Sequence, residues 1–166
     1  MLTAHELIGF MPPALSAEIL QFTFDTDREM YRAILGAVAE ARKLRPQFLE
    51  RKARTERDAE IISYLSKPRL DGAAQNLLRY WLVKKHTPML ITFLDTLGIP
   101  HKDGTVDDLP ETIDAAKLAK AVDQLLGIYP REVVAVYLNA FYTMNGIFWE
   151  PLRRMLEGDT RLQIAG

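Results

Sequence analysis

Arg51, Lys52, Arg54 and Arg57 crowd into seven consecutive residues. Guanidinium and ammonium groups on an exposed helix neutralise phosphates and release their counterions, so these four residues form a candidate anion- or partner-binding face. They sit inside a wider basic block. Residues 42–85 carry twelve Lys/Arg against five Asp/Glu, a net of +7, and the remainder of the chain carries −8, which a formal net charge of −1 conceals. Local field rather than net charge governs what a surface attracts. Two features weigh against a nucleic-acid partner. Glu50–Arg54, Lys52–Glu56 and Arg54–Asp58 have the i,i+4 spacing at which opposite charges pair along one helix. The isoelectric point near 6.3 also lies far below the value of about 9 expected of a nucleic-acid binder.

A second cluster is acidic. His101, Asp103, Asp107, Asp108 and Glu111 fall within eleven residues. Carboxylates with one imidazole suit hard divalent cations. Gly104, however, follows Asp103 directly, which breaks the EF-hand spacing, and Asp-Gly is a turn former in its own right. No metal is assigned here. A third feature is Asn139, a lone amide in an apolar segment with Tyr137, Phe141, Tyr142, Phe148 and Trp149 around it. A buried amide must find hydrogen-bond partners or line a polar pocket, so Asn139 and Tyr142 mark a candidate pocket. The aromatic spacing itself reads as core.

Signatures of catalysis are missing from the sequence. There is no HExxH, no GxGxxG or GxxxxGK[ST] phosphate loop and no GxSxG; no cofactor is implied. The chain has no cysteine, hence no thiol nucleophile or thiolate metal site. Only three serines occur, Ser16, Ser63 and Ser66, and neither Ser63 nor Ser66 lies in a nucleophile turn. The reading favoured is a non-catalytic helical protein acting by macromolecular interaction or self-association. The alternatives are a nucleic-acid or anion binder using the basic segment, and an enzyme or small-molecule binder with a pocket near Asn139.

The elements that must position these residues read as helices almost throughout, giving an all-α, irregular bundle of about eight helices in one domain, residues 1–166. Thr26 and Glu29 have capping-box spacing. Pro46 opens a helix predicted to run unbroken to Ser66, its apolar ends Phe48-Leu49 and Ile61-Ile62 both reaching a core. Asp71, Thr87 and Asp114 stand where helix caps are wanted, and Gly98 and Gly127 where left-handed stops are wanted. The segment from Arg131 to Met144 is apolar all round, which predicts a central buried helix; its β-branched run Val133–Val136 leaves a strand as the alternative. The one long connection, residues 99–112, is the best place for a domain boundary. The longest charge-free run, Val133 to Trp149, would span about 26 Å as a helix, short of the roughly 30 Å of a bilayer core. The N-terminal segment lacks a basic, apolar leader pattern, and the cysteine-free composition is compatible with a cytoplasmic protein.

Overall fold

A computed structural model describes residues 1–164. Among the described residues the fold is all-α, with ten α-helices, two 3₁₀ turns and no strand. The chain divides into two compact units. The N-terminal unit, Thr3–Trp81, holds α1 (Ala4–Phe10), α2 (Pro13–Thr26), α3 (Arg28–Ala41), α4 (Pro46–Glu50), α5 (Arg54–Leu65), a 3₁₀ turn over Pro68–Leu70, and the larger part of α6 (Asp71–Lys85). The C-terminal unit begins at Leu82 and also takes in Met1–Leu2. It holds α7 (Thr87–Leu97), α8 (Ala115–Ile128), α9 (Arg131–Met144), α10 (Glu150–Gly158) and a 3₁₀ turn over Thr160–Leu162. The division falls inside α6, and the 99–112 connection lies within the C-terminal unit.

In the N-terminal unit α3 packs on α2, α4 and α5, and α5 also meets α1 and α2. Leu7, Ile19, Leu20, Leu35, Val38, Leu49, Ile61 and Leu65 are buried there. The basic segment is not one helix. α4 ends at Glu50, Ala53 is extended, and α5 starts at Arg54. The reason is the phase of the apolar residues. At roughly 100° per residue, Leu49 would stand about 120° from Ile61 and about 160° from Leu65 on a straight helix. Nothing apolar but two alanines lies between to bury the middle. The break at Arg51–Ala53 lets all three leucine and isoleucine side chains be fully buried. This break, with the separation of α1 from α2 at Pro12, raises the count from the expected eight helices to ten.

In the C-terminal unit α7 packs on α8, and α8, α9 and α10 pack on one another. Every residue of α9 from Val133 to Phe141 is buried, as its all-apolar composition predicts. Phe93 makes edge-to-face contacts with Tyr137 and Phe141, both at 5.4 Å between ring centroids, a favoured aromatic geometry. Asp114 caps α8 by accepting from Ala116 and Lys117 N–H. Several helix ends differ from expectation. Thr87 is already inside α7, with His86 at the cap position and the threonine hydroxyl donating back to Val83 O, and Asp71 is itself helical, so neither is an N-cap. Gly98 is left-handed at φ 70°, but Gly127 is not; α8 runs on to Ile128 and Tyr129 turns extended. Pro130 sets that stop, because proline drives the residue before it out of the helical region. Likewise Asp27, not Thr26, caps α3 by accepting from Met30 N–H at 3.0 Å; Thr26 is the last residue of α2, its hydroxyl donating back to Phe22 O. No single helix is long and apolar enough to cross a membrane among the described residues. α1 and α2 reach that length and apolarity only together, with a 119° bend between them.

Candidate functional site

The basic segment supplies less free charge than its composition suggests. Lys52 Nζ lies 2.9 Å from Glu60 Oε2, and Arg42 also pairs with Glu60. Arg54 Nε contacts Asp58 Oδ2 at 3.3 Å, and the guanidinium lies over the Phe24 ring with Cζ 3.6 Å from its centroid. Arg28 Cζ is also 3.6 Å from that centroid. Two guanidiniums cannot share one ring face at that distance, so Phe24 is sandwiched between them, a double cation–π arrangement. Arg57 Nε donates to Tyr31 Oη at 2.8 Å and its Nη1 to the Glu50 carbonyl at 3.3 Å; Tyr31 Oη in turn donates to Asp58 Oδ1 at 2.6 Å. Burial, then the Asp58 carboxylate, push the Tyr31 hydroxyl up to about 12. Of the four residues singled out in the sequence, Arg54 and Arg57 therefore meet in one network, Lys52 is bound to carboxylates, and Arg51 is exposed on the α4–α5 connection. The network also takes in Arg28, Phe24 and Tyr31, which lie upstream of the charge run and carry no signal in it.

Arg51 belongs to a different feature. Because Leu49 is turned fully inward, its neighbour Phe48 is turned out and is 55% exposed, contrary to the expectation that both reach the core. Arg45 and Arg51 stand three residues to either side of Phe48, Arg45 just before α4 and Arg51 just after it. Both are exposed and free of carboxylate partners among the described residues.

The C-terminal unit presents the opposite chemistry. Residues 106–111 and 145–148 enclose a groove of about 520 Å³. Asp107, Asp108 and Glu111 are exposed along it, and none joins an ion pair among the described residues. Phe148 stands beside them, 86% exposed. The sequence grouped Phe148 with the core aromatics. Its neighbours Ile147 and Trp149 are both buried, and in an extended stretch successive side chains point opposite ways, so Phe148 is forced outward. The loop is held from beneath. Trp149 Nε1 donates to the Pro110 carbonyl at 2.7 Å. At the loop's entrance Asp103 and Gly104 both have positive φ, 51° and 85°, and close a two-residue turn through paired Lys102–Thr105 hydrogen bonds. Glycine is required at 104, where a Cβ would come within 2.8 Å of Leu90 Cβ.

The remaining polar groups are committed to structure. His101 Nδ1 accepts from Gly104 N–H at 3.1 Å, which puts the ring proton on Nε2, 2.7 Å from Asp95 Oδ1. Both ring nitrogens are thereby used, and no three metal-ligating side chains converge among the described residues. His5 Nδ1 contacts both Asp71 Oδ1 (2.7 Å) and Thr3 Oγ1 (3.2 Å). A relay needs the two partners on different ring nitrogens, so this trio is not one. Asp71 also accepts from His5 N–H and Gln75 Nε2; burial raises its pKa, but these hydrogen bonds outweigh it and hold the carboxyl below its ordinary value. The Asn139 amide is satisfied by backbone groups. Its Oδ1 accepts from Leu2 N–H and its Nδ2 donates to Ala135 O, both at 2.9 Å. Tyr142, one turn along α9, is half-buried. No protein-family model, no curated protein and no solved structure matches this chain.

Proposed function

We propose that this protein is a non-catalytic interaction protein that self-associates, the acidic Phe148 groove of one copy receiving the basic Phe48 face of another. One observation carries this reading: the two most exposed phenylalanines lie on different units and are set in opposite charge, Phe48 among Arg45 and Arg51, Phe148 among Asp107, Asp108 and Glu111. An exposed aromatic ringed by unpaired charge is the composition of an interface anchor, and complementary charge steers two such anchors together. The groove volume of about 520 Å³ is ample for one aromatic side chain and its flanking stems. Reciprocated, such a contact makes a two-fold dimer; unreciprocated, it closes copies into a ring or runs on as a chain. The cysteine-free sequence makes no demand for an oxidising compartment, and a cytoplasmic setting suits this reading.

Sedimentation velocity across a salt series tests it. At about 20 mM salt the protein should associate, and at about 0.5 M, where surface charges are screened, it should dissociate. Asp107→Lys/Asp108→Lys and Arg45→Glu/Arg51→Glu should each be monomeric alone and should associate when mixed. A wild-type monomer at low salt and about 100 μM, the upper end of weak transient contacts, would sink the reading. So would a mixture of the two charge variants that stays monomeric.

A further inference from the structure

We infer that Arg28, Arg32 and Arg57 form a binding site for a single phosphate dianion on the N-terminal unit, separate from the Phe48 face. The three side chains line one small cavity, about 160 Å³, beside the rings of Phe24 and Tyr31. Arg28 and Arg32 are one helical turn apart on α3, and Arg57 comes from α5. Two of the three are already oriented. Arg28 is stacked on Phe24 and donates its Nε to the Phe24 carbonyl at 2.9 Å. Arg57 is held by Tyr31 Oη and the Glu50 carbonyl. The terminal nitrogens left over, with the whole guanidinium of Arg32, are the planar donors that match phosphate oxygens.

The charge balance points to a dianion. Among the described residues no carboxylate pairs with Arg28, Arg32 or Arg57. Asp58, one residue from Arg57, is taken by Tyr31 and Arg54. Glu50 alone lines the same cavity, leaving a surplus of two positive charges around it. Like charges gathered at one place are unfavourable unless an anion joins them. The volume admits a tetrahedral oxyanion with a few waters and falls below the roughly 300 Å³ at which pockets begin to enclose a whole ligand. That favours a terminal phosphate group over a nucleic-acid backbone, which needs a continuous basic track.

Arg32 is exposed and makes no hydrogen bond or ion pair among the described residues, so Arg32→Gln removes a ligand group without touching the fold. Arg79→Gln, on exposed α6 surface, is the equal-charge control. Calorimetric titration with inorganic phosphate and with phenyl phosphate should give saturable one-to-one binding. Arg32→Gln should weaken it about tenfold or more and Arg79→Gln should leave it unchanged. Co-sedimentation with phosphatidic acid vesicles, against phosphatidylcholine vesicles, separates a lipid phosphate from a soluble one; binding lost in Arg32→Gln supports the site and assigns the source to lipid. No binding of any of these up to about 10 mM phosphate overturns the site. Equal weakening by both variants does so too, as does tighter binding of a single-stranded oligonucleotide that Arg32→Gln leaves intact.

Discussion

The basic segment and the acidic loop carry similar densities of charge along the chain, yet they present very different surfaces. In the first, Glu56, Asp58 and Glu60 ride on α5 and reach Arg54 on the same helix, Lys52 in the break just before it and, from α3's end, Arg42. In the second, Asp107, Asp108 and Glu111 lie on a loop whose backbone is fixed by the Asp103-Gly104 turn and by Trp149. No lysine or arginine lies between Lys102 and Lys117 to answer them. A helix brings charges three and four residues apart into contact; an irregular loop does not. The lesson is that a run of charge is a surface only where the local structure denies it a partner. Cations of the N-terminal unit without a carboxylate partner among the described residues accordingly include Arg28, Arg32, Arg45, Arg51 and Arg57, all at the margins of the run or outside it.

The sharpest way to break this contrast is to release the loop. Trp149 is fully buried and anchors Pro110. Trp149→Ala should cost about 3–5 kcal/mol in urea unfolding, the range for deleting a large buried aromatic. Hydrogen exchange should quicken at residues 106–111 before it does in α3 and α5. A uniform loss of protection would mean that the loop is not held independently.

A middle-sized effect is expected on the basic side. Asp58 accepts from both Tyr31 and Arg54, and hydrogen bonds to charged groups are worth about 1.5–3 kcal/mol each. The Arg54 contact is the longer and more exposed of the two, so Asp58→Ala should destabilise by little more than one such bond, about 1.5–3 kcal/mol. It should also bring the Tyr31 ionisation down part of the way from about 12, since burial, its largest cause, remains. Because the folded value lies above the ordinary 10, the stabilisation tied to this proton is complete below about pH 10 and is lost as pH rises toward 12. Ultraviolet titration of the tyrosines reads this directly. An unmoved Tyr31 would separate it from Asp58.

The smallest effect concerns a partnered carboxylate away from both faces. Asp71 is held below its ordinary value by His5 and Gln75, so the stability it contributes is present above about pH 3.9 and drains away as pH falls through the lower folded value. Melting temperature against pH should fall less steeply below about pH 4 in Asp71→Asn than in wild type. Parallel curves would show that its hydrogen bonds do not carry acid stability.

Much of the helical framework was legible because it is written in local chemistry. Pro13, Pro46 and Pro151 sit in the first turns of α2, α4 and α10, Asp114 caps α8, and Gly98 closes α7. The burial of α9 followed from an absence of polar positions. The sites were less legible. Phe48 and Phe148 are of a residue type that usually goes inside, and only the packing of Leu49, Ile147 and Trp149 turns them out. Arg28 and Arg32 lie far in sequence from Arg57; the pairing of α3 with α5 brings them to one cavity. Such convergence depends on helix rotation, which no single segment encodes. The break at Arg51–Ala53 was readable in principle, from the phase mismatch between Leu49 and Leu65.

The hydrogen bonds of Asn139 have a consequence for uniqueness rather than for strength. A cylinder greasy on every side has many nearly degenerate angular settings in its socket, because each presents an acceptable apolar surface. Asn139 lifts that degeneracy. Its amide can meet Leu2 N–H at only one rotation of α9, and Thr143, one turn on, donates to the Leu2 carbonyl at that same setting. The pair acts as a key and slot for the C-terminal unit, in the way a single buried asparagine selects one register in a coiled coil. A leucine at 139 would fit the socket, yet it would leave α9 free to settle in several orientations. The rim that displays Phe148 begins at Asn145, six residues beyond the key, so the direction in which it faces follows from the setting of one amide.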